Sequence, residues 1–158
     1  MTGIIRKPVA RQRGAVLAEM ALVTPILLIL LLATGELTRA FIDHNTLTKA
    51  VRNGARYVAA NAFQGTTGVV EVSATLENEA RNLVVYGFIA PVAGTAPVLP
   101  GLTLTDITVL QIAGSNNIRV SATYAIVGIL GPTIPNFFGG SGASTIHSLR
   151  AEMTMRAL

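Results

Sequence analysis

One carboxylate in this 158-residue chain stands where its charge needs a reason. Glu19 is the only charged residue in the 21-residue run from Ala15 to Gly35. A charge at full depth in a bilayer costs on the order of 2.5 kcal/mol or more. The plainest account is that Glu19 snorkels to the headgroups, one turn from the basic residues that precede it. Other candidates for chemistry are few. His44 and His147 have neither a carboxylate nor a second ligand at a metal-binding spacing, and each reads as structural. Ser141-Gly142-Ala143-Ser144 lacks the flanking glycines of a nucleophile elbow. Gly139-Gly140 has no strand-to-helix context and no following lysine, as a phosphate cradle requires. These residues predict no enzyme: no catalytic residue, no metal, no cofactor and no small-molecule substrate.

The element that must carry Glu19 is a helix. At about 1.5 Å per residue, residues 15–35 span roughly 30 Å, the thickness of the hydrocarbon core. Arg6, Lys7, Arg11 and Arg13 precede Gly14 with no acid among them, which predicts a cytoplasmic amino terminus and export of everything after Gly35. The formal net charge of +4 comes from this leader, because the eight Lys and Arg beyond it balance eight Asp and Glu. No basic stripe with interleaved aromatics remains, so nucleic acid is excluded as a partner. With no cysteine, the chain has no disulfide, thiol nucleophile or thiolate metal site.

The first 62 residues resemble the amino-terminal signature of the TadE-like family, minor pseudopilins of tight-adherence (Tad, Flp-type) pili. The resemblance rests on Gly14 before the apolar run, Glu19 at the fifth position after it, Pro25, the Gly35-Glu36 pair, and residues 50–56 with Gly54-Ala55-Arg56. It implies cleavage by a prepilin peptidase between Gly14 and Ala15, leaving Ala15 as the new amino terminus and Glu19 as mature residue five. Prepilins of this system usually carry an aromatic after that glutamate, where this chain has Met20. A carboxylate in lipid is tolerable if it meets a positive charge such as the freed amine, in its own chain or a neighbouring one. Glu19 would then set the register of helix packing during pilus assembly. Implied partners are the prepilin peptidase, other pilins or pseudopilins, inner-membrane assembly components and membrane lipid. The implied location is the inner membrane, single pass, with a periplasmic or extracellular carboxyl-terminal domain.

Beyond the apolar run, Leu37, Phe41, His44, Leu47, Val51, Ala55 and Val58 recur every three or four residues, predicting one helix from about 15 to about 61. Gly54 and Ala55 are small enough to admit a closely packed neighbour, expected to be the chain's own carboxyl-terminal domain. Pro25 removes a backbone hydrogen bond and predicts a kink. A break at 64–68 precedes a second, shorter helix with Val69, Val72, Leu76, Ala80, Leu83 and Val84 on one face and Gly87 as its stop. The prolines of 90–101 predict a loop. Strand-like runs at 104–112 and 118–126, joined by the turn residues 114–117, predict a hairpin. Residues 128–144 read as a long loop, with Phe137 and Phe138 expected to be buried under the sheet. In the last run His147, Leu149, Ala151, Met153 and Met155 alternate with polar residues, predicting the third strand.

The fold expected is therefore α+β and pilin-like: a helical spine, a second short helix and a small three-stranded antiparallel sheet packed on the spine. Its segments are a basic leader (1–14), a transmembrane helix (15–35), an exported continuation of the helix (36–63) and an exported domain (64–158). Two other functions remain open: a secreted domain released by signal peptidase after Gly35, and an uncut, membrane-anchored envelope protein.

Overall fold

The computed structural model describes residues 10–63, 70–126, 128, 133–134, 143–144 and 147–157. They fall into two compact units, Met1–Thr38 and Arg39–Leu158. The first helix, α1, is Ala10–Asn61. Up to Thr38 its large apolar side chains, from Val16 through Leu31, stand exposed. An 18-residue window there has a mean hydropathy of 2.5 with none of it buried, so by length and composition the helix can span a membrane. The helix assignment is continuous through Pro25.

In the second unit α1 supplies Leu47, Val51, Ala55 and Val58 to the core, and Ala62 follows just past its end. The stripe read from the sequence starts earlier than the burial does: Leu37, Phe41 and His44 are exposed. Periodicity marks which face is apolar, but cover depends on what lies opposite. Helix α2, Ala74–Tyr86, starts five residues later than the run from Val69 suggested. Its start is set by Ser73, whose Oγ accepts from the Leu76 N–H at 3.3 Å. It ends at Gly87, where φ of 78° suits glycine and the Gly87 N–H donates to the Leu83 carbonyl. Leu76, Ala80, Val84 and Val85 are its buried face, and Leu83 is only half-buried.

Strands β1 (Ile107–Gln111), β2 (Asn117–Ile126) and β5 (His147–Arg156) form an antiparallel sheet in the order β1-β2-β5. Register runs from Ile107 opposite Ala122 to Gln111 opposite Ile118, and from Asn117 opposite Arg156 to Ile126 opposite His147. Ile118, Val120, Ala122, Tyr124 and Ile126 of β2 face the core, with Arg119, Ser121, Thr123 and Ala125 between them. The first strand begins at Ile107 rather than residue 104, because Leu104–Asp106 closes into a 3-10 turn. The Asp106 carboxylate draws that turn shut, accepting from the Thr103 N–H at 2.8 Å and the Thr103 hydroxyl at 2.7 Å. Ile112 likewise leaves the strand for the β1–β2 turn, its carbonyl accepting from the Ser115 N–H.

The expected loop at 128–144 contains a short ladder, β3 (Thr133–Ile134) with β4 (Ala143–Ser144). The break at 64–68, Val69, Phe137, Phe138 and the 139–142 cluster lie outside the described residues.

Candidate functional site

In the first unit Gly14, Ala15 and Glu19 all stand exposed on α1. Nothing lies within 4 Å of where a Cβ on Gly14 would be, so its missing side chain is not required by packing. The Gly14–Ala15 peptide bond lies within α1. Glycine at position 14 lowers helix propensity there by ~1 kcal/mol relative to alanine. Ala15 and Glu19 are four residues apart and so share one face of the helix, one turn from each other. Among the described residues no ion pair reaches Glu19.

The threonines of the apolar half are satisfied within the helix. Thr24 Oγ1 donates to the Met20 carbonyl at 2.7 Å, and Thr34 Oγ1 to the Leu30 carbonyl at 2.8 Å. Thr38 repeats the pattern on Thr34. Each hydroxyl is thus tucked onto its own backbone, which makes these threonines tolerable in a solvent that offers no hydrogen bonds.

In the second unit Gly54 and Ala55 are buried, Ala55 completely. A Cβ at Gly54 would stand 2.5 Å from Val84 Cγ2, 3.6 Å from the Ala80 carbonyl oxygen and 3.9 Å from Val120 Cγ1. The glycine therefore sits where α1, α2 and β2 meet. Arg52, Asn53 and Arg56, on either side of it, are exposed.

Two contacts here had no signal in the sequence, since each joins residues distant along the chain. Tyr57 donates its hydroxyl to Glu79 Oε2 at 2.9 Å, linking α1 to α2. That hydrogen bond, with some burial and the charge of Glu79, raises the Tyr57 pKa above 10.0. Tyr124 donates to the Pro100 carbonyl at 3.0 Å, tying β2 to the proline-rich loop. Burial and the nearby Asp43 raise its pKa, against an opposing pull from Arg39.

His44 is exposed on α1, and His147 opens β5. Among the described residues no three His, Asp or Glu side chains come together as a metal site. The open depression beside Tyr86, Pro91 and Leu104 brings no two titratable groups together.

No curated protein matches the chain, and no solved structure matches it. A family model described as TadE-like protein matches residues 14–56, from Gly14 through Glu19 to Gly54, Ala55 and Arg56. Residues 14–56 of this chain are therefore similar to the TadE-like family, the one that the glycine, glutamate and small-residue pattern resembles.

Proposed function

We propose that the chain is a minor pseudopilin of a tight-adherence pilus or related secretion apparatus, acting structurally and not as an enzyme. The observation that carries this reading is the coincidence of two boundaries. The family match begins at Gly14, and the apolar run of α1, with Glu19 as its single charge and large side chains exposed from Val16 to Leu31, begins immediately after it.

On this reading the helix inserts in the inner membrane with its basic end cytoplasmic, and a prepilin peptidase cuts between Gly14 and Ala15. Gly14 helps, because a protease needs its substrate strand unwound and a glycine lowers helix propensity at the cut by ~1 kcal/mol. After the cut Glu19 changes its electrostatic situation without moving. It comes to lie one turn from a new amine and near the amino terminus of the shortened helix, where a carboxylate gains about 0.3–1 kcal/mol from the helix dipole. Paired with that amine in its own chain or a neighbouring pilin, it sets the register of helix packing. The protein then supports or primes assembly rather than forming the bulk of the fibre.

Intact mass of the protein purified from membranes tests this directly. Loss of the first 14 residues is expected; loss of 35, or a full-length chain, would refute the reading in favour of a released domain or a plain anchor. Gly14→Ser should leave the leader attached. Glu19→Ala should insert and be trimmed yet fail to support piliation, and normal pilus numbers in that mutant would refute the role given to the carboxylate.

A further inference from the structure

The second unit has a direction, and an uncharged loop lies at one end of it. Along α1 the contacts with α2 run in reverse: Tyr57 donates to Glu79, while the Cβ position of Gly54, one turn earlier, meets Val84. Helix α2 is therefore antiparallel to this part of α1, and its carboxyl end points back toward Arg39, where the unit begins. Strand β2 runs the same way. Val120 stands near Gly54, and Tyr124, further along the strand, feels the charges of Asp43 and Arg39. The Tyr124 hydroxyl in turn holds the Pro100 carbonyl. Residues 87–101, which leave the end of α2, thus lie at the end of the unit that contains Arg39.

The base of that loop is fixed. Leu99 and Leu102 are buried in the core, and the Val98 N–H donates to the Val85 carbonyl at 2.7 Å. Asn82 Nδ2 donates to the Ile89 carbonyl at 3.1 Å, and Thr95 closes a tight turn on the Val92 carbonyl through both its N–H and its hydroxyl. From this base Phe88, Ile89, Val92 and Val98 stand exposed, Val92 at 80%. No residue from 82 to 105 is charged. Phe41 and Ile42 of α1 are exposed toward the same end of the unit.

Apolar surface gathered in this way marks an interaction site, and its place says with what. Arg39 is four residues past Gly35, the last residue of the apolar run, so the end of the unit that holds it is the end facing a membrane spanned by α1. The boundary between headgroups and acyl chains receives apolar side chains and penalises charged ones, and this loop brings none.

We propose that the loop between α2 and the sheet is a second lipid contact, with Phe88, Ile89 and Val92 seated at the headgroup–acyl boundary of the leaflet from which α1 emerges. This rests on the membrane span of the function proposed above, and on neither leader removal nor a pilus.

The chain has no tryptophan, so a single introduced one reports by itself. Full-length Val92→Trp, Leu110→Trp and Leu27→Trp are reconstituted separately in phosphatidylcholine vesicles, either plain or brominated along the acyl chains. Leu110 is exposed on β1 opposite Arg119, toward the other end of β2, and Leu27 lies in the apolar run. Bromine quenches indole emission on contact. Val92→Trp and Leu27→Trp should lose emission in the brominated vesicles, and Leu110→Trp should not. Adding Phe88→Asp and Ile89→Asp should return Val92→Trp to its emission in plain vesicles; quenching that persists would mean that the tryptophan seats itself, and would overturn the proposal. Equal quenching of Leu110→Trp would overturn it too. An unquenched Val92→Trp beside a quenched Leu27→Trp would refute the loop contact and leave the span standing, and a blue-shifted emission in that case would assign the loop to a protein cover. An unquenched Leu27→Trp would overturn the span and the loop contact together.

Discussion

Replacing Gly54 by alanine should destabilise the second unit even though alanine is the better helix former, and removing Val84 should reverse that sign. The added Cβ would stand 2.5 Å from Val84 Cγ2, about 1 Å inside ordinary contact. Val84 is fully buried and branched at Cβ, so it has little freedom to rotate away. Overpacking of this kind costs about 1–3 kcal/mol, against a gain of ~1 kcal/mol from replacing a mid-helix glycine. A net loss of about 1 kcal/mol is expected, and up to ~2 kcal/mol if α1 and α2 must separate. Val84→Ala alone removes two buried methyls at ~0.8 kcal/mol each and leaves a cavity, for roughly 2–3 kcal/mol in all. Adding Gly54→Ala to that variant brings no clash and partly refills the space, so it should recover about 1 kcal/mol. Tyrosine emission against urea is a suitable assay, because the chain has no tryptophan and Tyr57, Tyr86 and Tyr124 all lie in Arg39–Leu158. If Gly54→Ala proves neutral or stabilising beside the natural Val84, or if the two substitutions add without coupling, the contact does not constrain the fold as argued.

Two further substitutions probe contacts of the same unit. Tyr124→Phe removes the hydroxyl bond to the Pro100 carbonyl and should cost about 1 kcal/mol at neutral pH. Both raised tyrosines favour the neutral phenol in the folded state, so their contribution is intact below pH 10.0 and is lost as pH rises through the folded pKa. Urea midpoints followed by circular dichroism should fall as pH rises above about 10, and fall less steeply in Tyr124→Phe than in the natural chain. Gly87→Ala places a Cβ at φ of 78° and should cost about 1–2 kcal/mol, with Gly87→Asn milder; equal midpoints for the glycine and alanine forms would refute the capping role.

The parts of the fold that could be read from the residues are those where periodicity and burial share one cause. Alternation in β2 and β5 marks the right inward rows because a sheet with one covered face sorts side chains by a period of two. Gly87 is legible as a stop because its backbone conformation suits glycine. The misreadings have local causes. Residues 104–106 look like strand by composition, yet Thr103 and Asp106 hydrogen-bond each other and win the backbone for a tight turn. The start of α2 reads too early because Val69 and Val72 fit the helical face, when Ser73 offers the capping hydroxyl that fixes it. The β3–β4 ladder is two residues a side, too short for alternation to register.

The same limit bears on the long helix, where one apolar stripe is read by different surroundings. From Leu47 to Val58 the stripe is buried, and at Gly54 it lies close against α2 and β2. At Leu37, Phe41 and Ile42 side chains of the same character are 58 to 62% exposed within the chain. A hydrophobic period states that a face must leave water, and it is silent on whether lipid, the chain's own sheet or another helix receives it. The threonines do not choose between them: Thr24 and Thr34 return their hydroxyl protons to carbonyls four residues back, and Thr46 and Thr48 of the second unit do the same. Among the described residues Glu19 has no such partner within the helix. It is the one polar group of residues 15–35 so placed, and lipid headgroups or, on the pseudopilin reading proposed above, a freed amine would supply its partner.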